Sequence, residues 1–119
     1  TLKMRFFLFS FFFLLIISLT LSGCSGTGKY DDFAQCLTEN GAAMYGTDWC
    51  SHCQDQKEIF GKSFQYVAYI DCDKSKFACD SASVSSYPTW IINEESYGGT
   101  QQIYKLAQLT DCSLGESVQ

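Results

Sequence analysis

The residues best suited to chemistry are Cys50, Ser51, His52 and Cys53, which form a C-x-x-C loop. At a helix start, the first sulfur of such a loop meets the helix dipole and free backbone N–H groups, which favour thiolate over thiol. The second sulfur sits one turn further in, close enough to close a disulfide. This spacing points to thiol–disulfide exchange, with Cys50 as nucleophile and Cys53 as the resolving thiol. His52 is the only histidine. A protonated imidazole beside Cys50 favours its thiolate, and a stabilised reduced form makes the disulfide a better oxidant. The loop therefore points towards donating disulfides. Trp49, just before it, is placed to shield the pair and line a docking surface, while Asp48 reads as a solvated loop acid. A zinc site would need a second ligand pair. Cys72 and Cys79 are too far apart for that spacing, and His52 lies inside the loop itself, so no metal is assigned.

The elements that must hold this loop follow from patterning. Asp31 to Asn40 reads as a helix, with acids in its first turn, Gly41 as its C-terminal cap, and Phe33, Cys36 and Leu37 on one face. Ala42 to Thr47 is a short apolar run and reads as a buried strand. The C-x-x-C loop then opens a helix running to Lys62, with Ile59 and Phe60 facing inwards. Phe64 to Asp71 is rich in aromatic and β-branched residues and reads as a strand. Lys74 to Ser85 is a weaker helical pattern. Tyr87 to Ile92 reads as a strand opened by the only proline, Pro88. A turn at Asn93 to Ser96 leads to Tyr97-Gly98. Thr100 is placed to cap a last helix that buries Ile103, Leu106, Ala107 and Leu109. The order is α-β-α-β-α-β-β-α in a single α/β domain.

The chain has 119 residues, room for one domain, and a formal charge of −5. Lys3 and Arg5 precede an apolar block, Phe6 to Leu21, that has no charge. Beyond it stand six lysines, no arginine and all 13 acids. Such a domain will not hold a phosphate backbone, so nucleic acid is not an expected partner. The basic start and short apolar stretch have the pattern of an export signal. Leu21-Ser22-Gly23-Cys24 resembles the lipobox of bacterial lipoproteins, which implies cleavage before Cys24 and acylation of its thiol. The division expected is a signal at 1–23, a lipidated flexible tether at 24–30, the domain at 31–114 and a tail at 115–119. An uncleaved N-terminal anchor or a simple secreted form are the alternatives. All place the domain outside the cytoplasm, where disulfides persist. With Cys24 lipidated, six of the seven cysteines remain, and sequence alone leaves their pairing open.

The element order, with Trp49-Cys50-Ser51-His52-Cys53 between strand and helix and Pro88 opening the third strand, resembles the thioredoxin fold. The resemblance is nearest to small thioredoxin-like domains found with bacterial vitamin K epoxide reductase homologues. It is carried by Met44-Tyr45-Gly46, Trp49-Cys50, His52 to Lys57, Phe60-Gly61 and Tyr87-Pro88-Thr89-Trp90, and covers residues 31–112. It implies a central mixed four-stranded sheet flanked by helices. It also implies a redox-active Cys50–Cys53 pair and a cis Tyr87–Pro88 bond lying against it, beside which a peptide strand pairs. Family members often carry a cysteine pair in the region of Cys72 and Cys79, and a seven-residue separation can close a local bridge. In the fold implied, the helix bearing Cys36 and the last helix, just before Cys112, both end at the pole away from the active site, which favours a Cys36–Cys112 bridge. Two departures stand out. Ser51 replaces the proline common after the first active cysteine. Met44 stands where thioredoxins carry a buried aspartate, which leans away from a general reductase.

The function expected is an extracytoplasmic, membrane-tethered thiol–disulfide oxidoreductase. It exchanges the Cys50–Cys53 disulfide with thiols of exported proteins as an oxidant, with no soluble cofactor, as a monomer. A vitamin K epoxide reductase homologue in the membrane is the partner that the resemblance suggests for reoxidation. The alternatives are a disulfide reductase or isomerase, or a non-enzymatic metal-binding lipoprotein of the same fold. Copper-handling members of the superfamily usually carry a late histidine. Nothing after His52 is histidine, and neither Met4 nor Met44 suits such a site.

Overall fold

The computed structural model describes residues 1–5 and 26–115. The apolar block, the lipobox with Cys24 and most of the expected tail lie outside those residues. Among the described residues, no helix is long and apolar enough to cross a membrane.

Helix α1 (Asp31–Glu39) places Asp31 and Asp32 at its N-terminus, where carboxylates complement the helix dipole. It buries Phe33, Ala34 and Leu37. Gly41, at φ +76°, turns the chain beyond the Asn40 cap into strand β1 (Ala43–Gly46). Helix α2 (Ser51–Phe60) follows, and a 3₁₀ segment (Gly61–Tyr66) extends it. Strand β2 (Ala68–Asp71), the short helix α3 (Lys76–Ser81), strands β3 (Thr89–Ile92) and β4 (Glu95–Gly98), and helix α4 (Ile103–Thr110) complete the domain.

The sheet order is β2-β1-β3-β4. β1 and β2 are parallel, with Met44 opposite Tyr69, so the chain between them must cross over through α2. β3 runs antiparallel to β1, with Trp90 opposite Met44, and β4 closes a hairpin on β3. Its two-residue turn, Asn93-Glu94, has positive φ at both positions, matching the twist of paired strands. This mixed sheet with flanking helices is the thioredoxin-like arrangement that the resemblance implied.

One apolar cluster holds the layers together. Phe60 of α2 stacks on Phe33 of α1 at 6.1 Å and lies 6.0 Å from Trp90 of β3. Met44, Leu37, Ile92 and Leu106 are buried in the same cluster. Two disulfides reinforce it. Cys36 is bonded to Cys112 and Cys72 to Cys79. Their sequence separations are 76 and 7 residues. Chain-entropy reasoning gives the long closure about 4.5 kcal/mol of stabilisation and the short one about 2.5 kcal/mol. Asn40 sits over the long bridge, its amide 3.3 Å from Cys36 Sγ and 3.2 Å from Cys112 Sγ.

Several expectations need correction. The turn expected at Asn93 to Ser96 is only Asn93-Glu94, because β4 already starts at Glu95, and the helix expected over Lys74 to Ser85 is confined to Lys76–Ser81. The strand expected from Phe64 begins only at Ala68. Residues 64–66 instead continue α2 as 3₁₀ turns because tertiary contacts claim them. Phe64 packs edge-on to Phe60 and Tyr69, and the Tyr66 carbonyl accepts from Thr38 Oγ1 at 2.7 Å. Thr100 does not cap α4; the cap position is Gln102, and the Thr100 hydroxyl donates to the His52 carbonyl at 3.1 Å. The expected flexible tether is docked from Gly28 onwards. Gly28 N donates to Asp31 Oδ2 and Tyr30 N to Ser63 Oγ, each at 2.8 Å.

Candidate active site

The end of β1, the start of α2 and the segment entering β3 converge on Cys50 and Cys53. Cys50 is the N-cap of α2, in extended backbone conformation, and its Sγ accepts the Cys53 N–H at 3.2 Å. An N-cap acceptor satisfies one of the backbone donors that a helix start leaves free. Here that acceptor is the sulfur itself. The Tyr87–Pro88 peptide is cis, and the Tyr87 carbonyl lies 3.5 Å from Cys50 Sγ, accepting from the thiol. Both cysteines are thiols in this structure. Cys50 retains 8% exposure and Cys53 none, so only Cys50 presents an edge to a substrate.

Cys53 lies against Gly46. A Cβ at position 46 would stand 2.7 Å from Cys53 Sγ, closer than real side chains approach, and 3.4 Å from Tyr69 Cε2. Glycine at the end of β1 is therefore the space the second sulfur occupies. Burial pushes the Cys53 thiol up to about 11, helped by its hydrogen bond to Cys50. The Thr47 backbone and Lys57 act in the opposite direction. Met44, on the same buried face of β1 as Gly46, is wholly buried and apolar, so it supplies no carboxylate.

Around this centre, Trp49 is 69% exposed and meets the Tyr87 ring edge-on at 6.1 Å. Its indole N–H donates to Asp73 Oδ2 at 2.8 Å. Trp49 thus stands beside the pair as an exposed wall. His52 does not turn to Cys50 as expected. Its Nδ1 lies 3.5 Å from Asp55 Oδ2, and its side chain is 72% exposed. The cause is helical phase: Ser51 and His52 point outwards and Cys53 inwards at the first turn of α2. Any positive charge on the imidazole is shared with Asp55 and screened by water. Asp48 is a solvated loop acid, 65% exposed, and it also pairs with Lys57, whose Nζ stands 3.0 Å from its Oδ1. Cys72 and Cys79 lie apart from the active pair in their own bridge, as do Cys36 and Cys112.

Sequence reasoning missed Gln56 and assigned no physical role to Gly46. Gln56 is fully buried on α2. Its Oε1 accepts from Trp90 Nε1 at 2.9 Å and from Gln101 N at 2.6 Å, and its Nε2 donates to the Gln101 carbonyl at 3.0 Å. One side chain ties the active-site helix to β3 and to the segment before α4. The signal available was its spacing, three residues beyond Cys53 on the buried face. Among the described residues, no group of three or more histidine, cysteine or acidic side chains is placed to hold a metal.

No protein-family model matches the chain. Among curated proteins, it is 37% identical over 93 residues to thiol-disulfide oxidoreductase LTO1 of Arabidopsis thaliana, covering 71% of this chain and 25% of that protein. It is 31% identical over 84 residues to protein disulfide isomerase-like 2-2 of Oryza sativa subsp. japonica, covering 59% and 23% respectively. The solution structure of oxidised thioredoxin from Plasmodium falciparum superposes with a TM-score of 0.42 at 16% identity, over 73% of this chain and 91% of that one. The chain spans about a quarter of the length of the curated relatives it matches. Its sheet topology is thioredoxin-like, and its sequence is similar to part of a protein named thiol-disulfide oxidoreductase and to part of one named protein disulfide isomerase-like.

Proposed function

We propose that this domain is an extracytoplasmic thiol–disulfide oxidoreductase, tethered to a membrane through Cys24, that passes the Cys50–Cys53 disulfide to thiols of exported proteins. The observation that carries the exchange chemistry is the placement of Cys50. It caps α2 and retains an exposed edge, with the carbonyl before cis-Pro88 against its sulfur. A substrate thiolate attacks Cys50 of the oxidised pair. The Cys50–Cys53 bond breaks, Cys53 leaves as thiolate, and a mixed disulfide forms. A second substrate thiolate then attacks the substrate sulfur and releases Cys50. The substrate has lost two electrons and the pair has gained them. A membrane homologue of vitamin K epoxide reductase reoxidises the pair, and no soluble cofactor takes part.

Two features support the oxidant direction. The Cys53 N–H donates to Cys50 Sγ, which favours the reduced form and so raises the potential of the disulfide. Apolar Met44 leaves Cys53 without the carboxylate base that a reductase would use. Equilibration of the purified domain with glutathione buffers tests the direction. The oxidant reading expects a potential well above roughly −270 mV, towards about −120 mV; a value at or below the former makes the domain a reductase. Cys53→Ala should trap mixed disulfides with exported proteins and Cys50→Ala none. Equal trapping by both would overturn the assignment of nucleophile.

A further inference from the structure

The exchange reading leaves one group unexplained. When a mixed disulfide is resolved, Cys53 must attack as thiolate, and when a substrate opens the disulfide, Cys53 must leave as one. Yet Cys53 has no exposure, and burial holds its proton on. Lys57 lies one helical turn beyond it on α2, close enough for side chains at that spacing to interact. The Lys57 side chain is only 28% exposed. Its Nζ stands 4.2 Å above the Tyr69 ring and 5.6 Å from the Phe64 ring, with Asp48 Oδ1 at 3.0 Å.

The same Tyr69 ring borders the gap at Gly46 that the Cys53 sulfur fills: its Cε2 lies 3.4 Å, and Cys53 Sγ 2.7 Å, from the place a Cβ at Gly46 would take. The Tyr69 hydroxyl is buried without a hydrogen-bond partner, and burial, ahead of Asp48 and Asp71, keeps it protonated. It contributes no charge. The remaining groups near Lys57 can be named by element. Asp48 comes from the β1–α2 loop. Lys74, after β2, lies 4.0 Å from Asp48 Oδ2 and 3.1 Å from Asp71 Oδ2, so its charge is spent on Asp71. Phe64 of the 3₁₀ segment is neutral, and on α2 Cys53 stands four residues before Lys57, with Asp55 and Glu58 the exposed acids of the same helix.

We propose that Lys57 is the positioning charge that stabilises the Cys53 thiolate across the Tyr69 ring, with Asp48 setting how much of that charge reaches it. The proposal rests on the exchange reading above. In the resolving step, Cys53 releases its proton to water and its sulfur attacks Cys50 of the mixed disulfide. The Cys50–Cys53 bond forms and the Cys50–substrate bond breaks. The substrate sulfur leaves with the electron pair and takes a proton from water. In reverse, the same ammonium stabilises Cys53 as the leaving thiolate, so the device serves either direction of electron flow.

The test uses the full chain in a Cys50→Ala background, with alkylation read by mass at the peptide that carries Cys53, so that Cys24 does not contribute. Iodoacetamide is the probe, because a neutral reagent is not itself steered by lysine. Lys57→Met should slow alkylation at pH 8 by roughly three- to tenfold, the Coulomb effect of one charge at that spacing in a half-screened site. Lys57→Arg should stay within about twofold of the parent, since charge is kept. Asp48→Asn should accelerate alkylation, because it frees the ammonium. Opposite effects of Lys57→Met and Asp48→Asn support the proposal. A merely structural ion pair would move both variants in the same direction, and that outcome, or no change in either, overturns it. Should Lys57→Met fail to fold, Asp48→Asn decides alone: faster supports the proposal, and slower or unchanged overturns it. Exchange of the unmutated chain with oxidised glutathione is measured in parallel. Its absence counts against the exchange reading, whereas the alkylation order bears on Lys57.

Discussion

Replacing Gln56 with leucine should destabilise the domain by roughly 2–5 kcal/mol, a large share of the ~5–15 kcal/mol that holds small domains together. Leucine fills nearly the same volume, so the cost comes from lost partners and hardly at all from a cavity. Trp90 is wholly buried, and its indole N–H would have no acceptor, at about 1–3 kcal/mol. The Gln101 N–H and carbonyl are only part-buried and can recruit water, so each adds about 0.5–1 kcal/mol. Urea unfolding of the reduced protein measures the sum, with an unchanged m-value showing that the unfolded state is the same. A double-mutant cycle with Trp90→Phe isolates the indole bond, because phenylalanine removes the donor that leucine would orphan. The coupling should be about 1 kcal/mol or more. A loss below about 0.5 kcal/mol, or a cycle that closes to zero, would show that Gln56 does not tie α2 to β3. The same variant should also loosen the segment whose Thr100 hydroxyl holds the His52 carbonyl, and so slow exchange at Cys50.

Gly46→Ala introduces a methyl 2.7 Å from Cys53 Sγ. Either the core absorbs it at roughly 1–3 kcal/mol, or the sulfur rotates away and exchange slows; unchanged stability together with unchanged exchange would remove the steric role assigned to this glycine. Stability of the reduced form should fall as pH rises from about 9 towards about 11, because unfolded Cys53 releases its proton near 9.0 while the folded thiol holds it to about 11. The oxidised form has neither thiol to titrate and should show no such fall attributable to Cys53. Equal alkaline slopes for the two forms would contradict the burial argument.

Much of the fold was legible because its signals are local. Turn residues, apolar runs and the acids at the start of α1 depend on neighbours in sequence, and they place the elements in order along the chain. The position of the C-x-x-C loop at a helix start is legible for the same reason, since a helix N-terminus is a local feature. The stretch from Phe64 shows where local reasoning stops. Its composition favours a strand, but Phe60, Tyr69 and Thr38 reach it from three other elements and hold it in 3₁₀ turns. His52 shows the same limit inside the site. Its place between the cysteines is a matter of sequence, whereas the direction of its imidazole follows from the phase of α2 and the presence of Asp55 one turn on. Gly46, Gln56, Asp48 and Lys57 gain their roles only when β1, α2, β2 and β3 are brought together. Each acts on a sulfur, a ring or a backbone group distant in the chain or hidden by burial. Steric fit, buried hydrogen bonding and charge acting through a half-buried site are properties of that packing; spacing along α2 marks which residues share a face with Cys53, not what they meet there.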